Sequence, residues 1–297
     1  MDRCIIAVIG GDARQIALAN ILAAEGITVY CSGFELASHQ LTGTASTDPL
    51  TAALMADIII LPMPPTKNGE TLNAPLSTYR ISLDEEFRNA LKGKVIFTGM
   101  ADKLRAVSPA FAQLDIYDYY ASESFLLRNA RATAEGAIAE LITQYPRTIC
   151  GSRILITGCG RITGFLAPML HSLGGIVSVA ARKPSDRARI SSLGMEAMSF
   201  NKAVRRAKDY SVVINTVPAQ VLDKRFIDAL SSDALVIDLA SAPGGVDQEE
   251  CEKRGIRAIT APGLPGKYSP LTAAEIIKET VMSILEEDQD YGGVKGY

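Results

Sequence analysis

The sequence predicts an α/β chain of two doubly wound parallel-sheet domains, flavodoxin-like in the N-terminal half and a Rossmann dinucleotide-binding domain in the C-terminal half. Three observations predict it. Short apolar runs recur along the chain with helical patterns between them, the alternation that builds parallel sheets. One such unit, Arg153 to Arg182, carries glycines at its first strand-to-helix turn. The 297 residues also exceed what one hydrophobic core ordinarily serves. The expected division is residues 1–125 for a substrate-side domain, 126–147 for a hinge helix and 148–268 for the dinucleotide domain. Residues 269–297 then form a terminal segment whose helix, Leu271–Glu287, packs back on the first domain.

In the first domain, Cys4–Ile9 is an apolar strand ending at Gly10-Gly11-Asp12, and Ala13–Ala24 has helical composition. This turn has no G-x-G-x-x-G, which argues against a nucleotide there. The backbone donors at Gly11, Asp12 and Ala13, with the Arg14 guanidinium, could instead receive a substrate carboxylate. The same residues read equally as an Asp12 N-cap followed by a solvated Arg14. Further runs at Ile27–Cys31, Asp57–Leu61, Lys94–Phe97 and Asp115–Tyr119 complete five mostly parallel strands, with a cleft beyond their carboxyl ends. The proline-rich stretch Pro62–Pro75 is a loop on that side, either functional or an ordinary long connection.

Glu123–Ile142 reads as one long helix, with Leu127, Ala130, Ala134, Ile138 and Leu141 near helical spacing. At a domain hinge it would carry Glu135 as a general acid or base, and Asn129 and Thr133 as hydrogen-bonding partners of a substrate. All three could equally be exposed polar residues.

The second domain starts from Ile154–Ile156, Gly158-Cys159-Gly160 and a helix opening at Arg161 and Ile162. Gly158 permits the tight turn, and Gly160 leaves room for a pyrophosphate lying on the helix N-terminus. The third glycine is replaced by Thr163, followed by Gly164, so helix and strand must pack differently there. The second strand, Ile176–Ala180, ends at Ala181-Arg182-Lys183, where an enzyme for the unphosphorylated cofactor would carry Asp or Glu. Arg182 and Lys183 suit a 2′-phosphate, so NADP is expected, with NAD the alternative.

Met195–Phe200, Ser211–Asn215, Ala234–Leu239 and Ile256–Thr260 complete six strands. Thr216, Val217 and Pro218 then fall beside the nicotinamide ribose, together with Leu239, Ala240 and Ser241 after the fifth strand. The loop Gly263, Leu264, Pro265, Gly266 and Lys267 after the sixth forms another wall, approaching a substrate carboxylate.

Composition narrows the partners. A net charge of −3 gives no electrostatic case for nucleic acid or an anionic membrane. Cys4, Cys31, Cys150, Cys159 and Cys251 lack zinc-site spacing and fit reduced thiols, so no metal is expected. Met1-Asp2-Arg3 leads straight into an apolar strand, neither a signal peptide nor a membrane span, and a cytoplasmic location is expected. The two histidines, His39 and His171, fall away from the nicotinamide end, which disfavours a histidine acid–base mechanism.

The segments AVIGGDARQ, TAEGAI at Thr133–Ile138, ITGCGRITGFLA, VVINTVP, DLASAPGG and APGLPG together resemble the dipicolinate synthase A-subunit family of spore-forming bacteria, over nearly the whole chain. That family has glycine at the position of Thr163. The resemblance implies NAD(P)-dependent oxidation of dihydrodipicolinate, or its hydrated tetrahydro precursor, to pyridine-2,6-dicarboxylate. It also implies a partner in the form of a flavoprotein-like B subunit, an oligomer, and the cytoplasm of the mother cell during sporulation. Two other readings stay open: another two-domain dehydrogenase of a small carboxylic acid, and a non-catalytic NAD(P)-binding regulatory subunit.

Overall fold

Each apolar run becomes a strand, buried on both faces in the middle of a sheet and partly exposed at its edges, and turn and capping residues set the helices between them. The computed structural model describes residues 4–290; residues 1–3, on which the expectation of no signal peptide falls, and residues 291–297, the end of the expected terminal segment, lie outside the described residues. The chain divides into two compact units, Met1–Asn129 with Ser269–Tyr297, and Ala130–Tyr268. The boundary between the units falls within the long helix, at Asn129/Ala130.

The first unit runs β1 (Ile5–Ile9), α1 (Ala13–Ala24), β2 (Thr28–Ser32), β3 (Ala45–Ser46), α2 (Pro49–Met55), β4 (Ile58–Ile60), α3 (Glu85–Leu91), β5 (Val95–Thr98), α4 (Ala101–Arg105) and β6 (Ile116–Asp118), then the start of α5 (Glu123–Gln144). The strand order β3-β2-β1-β4-β5-β6, all parallel, is the expected five-strand arrangement plus β3 on the edge. The sequence reading missed β3 because two exposed residues show no alternation to read. Successive residues of β1 feed opposite layers: Ile6 and Val8 one core, Ala7 and Ile9 the other. Burial on both faces is why the run is continuously apolar. α1 starts where Asp12 and Gln15 form a reciprocal capping box, and α2 where Asp48 caps a helix with Pro49 in its first turn.

The second unit takes the rest of α5, then β7 (Arg153–Thr157), α6 (Arg161–Ser172), β8 (Ile176–Ala180), α7 (Pro184–Ser192), β9 (Glu196–Met198), α8 (Phe200–Arg205), β10 (Val212–Asn215), α9 (Lys224–Ile227), β11 (Leu235–Asp238), α10 (Gln248–Lys253), β12 (Arg257–Thr260) and α11 (Leu264–Tyr268). The parallel order β12-β11-β10-β7-β8-β9 is that of the doubly wound dinucleotide-binding fold, with its switch point between β7 and β10.

The last helix, α12 (Pro270–Asp290), belongs to the first unit. Its Ala274, Ile276, Ile277, Val281 and Leu285 enter the same core as Ile16, Leu18 and Leu22 of α1. Among the described residues no helix is long and apolar enough to cross a membrane.

Candidate active site

In the first unit the carboxyl ends of β1 and β4 meet the loop that follows Leu61. Gly10 and Gly11 both have positive φ, 70° and 106°, and their amides donate to Ser32 O and Asn73 O at 2.8 and 2.9 Å. The Asp12 carboxylate accepts from Arg14 N at 3.0 Å, and Gln15 Oε1 accepts from Asp12 N at 3.1 Å. Arg14, 6% exposed, donates Nε and Nη2 to the two oxygens of Asp12 at 2.9 and 2.8 Å, and Nη2 also reaches Met63 O at 3.2 Å. Burial opposes ionisation of Asp12, but the Arg14 hydrogen bonds and charge outweigh it and hold the carboxyl below its usual range.

This arrangement revises the sequence expectation for Gly11, Asp12, Ala13 and Arg14. The guanidinium fork is committed to Asp12, and the amides of Gly11, Asp12 and Arg14 have partners inside the unit. The pair therefore stiffens the turn and its covering loop. The cation left on this edge is Lys67, exposed and without a hydrogen bond or ion pair among the described residues. Its charge is close enough to favour ionised Asp12. Lys67 lies in the proline-rich stretch, where sequence alone could not separate a binding loop from a connection.

On α5, Asn129 and Thr133 are one turn apart on a shared face, whereas Glu135 is turned about 200° from Thr133. Thr133 is 9% exposed; Glu135 stands out of the protein and pairs with Arg131 at 3.4 Å. Glu135, expected as the acid or base, thus does not share a face with Asn129 and Thr133, expected as the substrate's hydrogen-bond partners. The acid that sequence reasoning missed is Glu140, 3% exposed, whose carboxylate accepts from Lys267 Nζ at 2.6 Å, Tyr268 Oη at 2.7 Å and Gln144 Nε2 at 3.0 Å. The Lys267 hydrogen bond, against burial and helped by Tyr268 and Gln144, holds that carboxyl below its usual value.

Lys267 is therefore engaged, and the Gly263–Lys267 stretch is not an open wall. From Leu264 it is the short helix α11, seated on α5 where a Cβ on Gly136 would come 2.8 Å from Leu264 Cβ. Leu264 and Pro265 are buried, and Gly263 takes a positive φ of 68°.

The glycine turn after β7 is formed as a cradle. Gly158 has φ 98°, and a Cβ there would lie 2.4 Å from Thr216 Oγ1 and 2.8 Å from Val217 Cγ2. A Cβ at Gly160 would meet nothing within 4 Å, and no side chain caps α6 at its start. That open space before Arg161 and Ile162 fits a dinucleotide diphosphate on the helix N-terminus. Thr163, in place of the third glycine, is fully buried, its hydroxyl 3.2 Å from that of Thr216, which donates to Thr157 O at 2.8 Å. Close packing is thus managed by a hydroxyl pair at Thr163, and Gly164 has no crowding role.

Three buried polar residues at the ends of β7, β10 and β11 hold the neighbouring loops. Thr157 Oγ1 donates to Asn215 Oδ1 at 2.7 Å, and Asn215 Nδ2 donates to Asp238 Oδ1 at 2.8 Å and to Val217 O at 3.0 Å. Asp238 also accepts from Ala240 N at 3.0 Å and Gly245 N at 2.9 Å. The network shapes both Thr216-Val217-Pro218 and Leu239-Ala240-Ser241, which follow the carboxyl ends of the neighbouring strands β10 and β11. Strand-end alternation could have flagged Asn215 and Asp238, since polar residues at the close of buried strands need partners.

At the end of β8, Ala181 is buried while Arg182 and Lys183 are exposed, their side chains without hydrogen bonds or ion pairs among the described residues. Arg187 donates to Ala181 O at 2.9 Å and Arg182 O at 2.7 Å.

Residues 5–120 match the family model of the N-terminal domain of the dipicolinate synthase A subunit. The chain is 31% identical over 287 residues to the dipicolinate synthase A subunit of Bacillus subtilis (strain 168), covering 96% of each. The crystal structure of the dipicolinate synthase A subunit from Bacillus halodurans superposes with a TM-score of 0.84 at 30% identity, over 95% of this chain and 97% of that one. An L-alanine dehydrogenase structure shares the fold at a TM-score of 0.65 and 14% identity, over 97% and 90% of the two chains.

Proposed function

Because the chain belongs to the dipicolinate synthase A-subunit family, we propose that it carries out the nicotinamide-linked oxidation of dihydrodipicolinate, or of its hydrated tetrahydro precursor, to dipicolinate, in the cytoplasm and alongside a B subunit. The observation that carries this reading is the cradle at Gly158–Gly160, with an open Gly160, an uncapped helix and two basic side chains at the end of β8. A bound nicotinamide would supply the hydride acceptor for the ring carbon, with Gly160, Arg161 and Ile162 holding its diphosphate; starting from the hydrated precursor, one water must also leave. The accompanying proton needs a base, and the two carboxylates of the substrate need cations.

The residues divide these tasks. Gly160 and the first turn of α6, at Arg161 and Ile162, receive the diphosphate, and Arg182 with Lys183 favours NADP over NAD. The Asn215–Asp238 network fixes the loops that orient the nicotinamide ribose. Within the first unit, Lys67 offers a cation to a carboxylate ligand, with the Arg14–Asp12 pair holding the loop that carries it. Asn129 and Thr133 hydrogen-bond the substrate from their shared face of α5, and Glu135, turned away from that face and paired with Arg131, is not used as the proton acceptor.

Purified chain, with and without a B-type subunit, is given dihydrodipicolinate and either cofactor while the absorbance of the pyridine product is followed. Product from the chain alone supports the reading; a chain that binds NADP yet yields product under neither condition would sink it. Lys67→Ala is expected to raise KM for the diacid about tenfold, the scale of one charge-assisted hydrogen bond, with dinucleotide titration unchanged. Arg182→Asp should shift preference towards NAD.

A further inference from the structure

Arg189, outside the residues assigned to the cradle, reaches back from α7 across the glycine turn. Its Nη2 donates to Cys159 O at 3.0 Å and lies 3.2 Å from Cys159 Sγ. Its Nη1 lies 3.9 Å from where a Cβ on Gly164 would stand, so the guanidinium rests on the first turn of α6. The rest of that exposed guanidinium has no partner among the described residues. The turn itself is tied to the end of β8 by the Gly158 N to Ala180 O bond of 2.9 Å. Three cations therefore border one small region, Arg182 and Lys183 from the strand end and Arg189 from the helix. Asp186, the acid on α7, has its backbone carbonyl 3.9 Å from Cys159 Sγ. No carboxylate pairs with any of the three cations among the described residues.

We propose that Arg189 is a specificity-determining residue, a third cation for the 2′-phosphate of NADP, and that Arg187 is a positioning residue that presents Arg182 to the same phosphate. The proposal rests on the dinucleotide reading of the Gly158–Gly160 cradle and goes further by naming which side chains tell the phosphorylated cofactor from the other. Arg189 can act this way because one edge of its planar fork is pinned to the turn, which orients the remaining N–H groups without further loss of freedom. A phosphate bearing nearly two negative charges gains most from such a fixed fork. Arg187 spends its Nη1 on two successive carbonyls, those of Ala181 and Arg182. It is thereby placed to set the backbone from which Arg182 projects.

The test is fluorescence titration of the full chain with NADPH and NADH, paralleled by 2′,5′-ADP and 5′-AMP as competitors. Arg189→Ala should weaken NADPH and 2′,5′-ADP about tenfold or more and leave NADH and 5′-AMP within about twofold. Arg189→Lys should recover part of the loss. Arg187→Ala should weaken NADPH alone, and should add little in an Arg182→Ala background, because it acts through that side chain. Equal weakening of both cofactors by Arg189→Ala would make Arg189 a brace of the turn and overturn the proposal, as would unchanged NADPH affinity. A wild-type chain that binds NADH and NADPH equally would overturn it too, while leaving the cradle as a dinucleotide site. Binding of neither cofactor would remove the cradle reading along with it.

Discussion

Gly158 and Gly160 stand two positions apart and meet opposite demands. At Gly158 a methyl group would strike Thr216 and Val217 inside the fold, on a backbone with φ of 98° that side chains resist. At Gly160 a methyl group would touch nothing and the backbone is ordinary. Gly158→Ala should therefore lower stability, by roughly 1–3 kcal/mol for strain and overpacking. Gly160→Ala should melt like the wild type in urea and yet lose at least tenfold in dinucleotide affinity, as its methyl occupies the space left for the diphosphate. Equal affinity in the Gly160 variant would show that the open space is not a diphosphate seat. Asp238 acts through hydrogen bonds rather than space, since three donors converge on its buried carboxylate. Asp238→Ala leaves those donors unsatisfied, and a loss of about 3 kcal/mol in a denaturant melt is expected.

Among the elements, α5 and α11 show what the pattern of the sequence conceals. TAEGAI and APGLPG are compositionally suggestive, one with a carboxylate and the other with paired glycines and a lysine, and both read as site residues. In the structure they are largely two sides of one packing contact: Gly136 lets α11 approach, Ala134 and Ala137 are fully buried, and Lys267 closes on Glu140. In a solvated helix, Gly→Ala stabilises by about 1 kcal/mol. Gly136→Ala should do the reverse, because its Cβ would sit 2.8 Å from that of Leu264; a raised Tm would contradict the packing described.

Glu140 adds a pH dependence of known sign. Its folded pKa is below the usual 4.5, so its stabilising contribution is complete above about that pH and is lost as pH falls through the lower, folded value. The Tm gap between wild type and Glu140→Gln should thus narrow below pH 4.5 and stay constant above it. The strands were legible because buried parallel strands are apolar throughout, and the cradle because glycines punctuate a βαβ unit. The commitment of Arg14 to Asp12 and of Lys267 to Glu140 was not legible: a cation on paper shows no partner, and one of these partners lies 127 positions away.

At the scale of the molecule, each unit carries its own sheet and its own pair of core layers. The first unit is discontinuous in sequence, since α12 completes the layer that α1 begins. Ile277 is 1% exposed in that layer, and Ile277→Ala should cost about 2–5 kcal/mol by opening a cavity. Hydrogen exchange should show the loss in β1, β2 and α1, with the protection of β7 and β10 and the affinity for dinucleotide unaltered. Weakened protection throughout both units would mean that they unfold as one.

That discontinuity has a consequence for biosynthesis. The apolar side of α1 leaves the ribosome early, but the helix that covers it follows only after the whole of Ala130–Tyr268 has been translated. At roughly 5–20 residues per second the wait is on the order of ten seconds. During that interval the nascent N-terminal half presents sticky surface to chaperones and to neighbouring chains, while the dinucleotide half can close first.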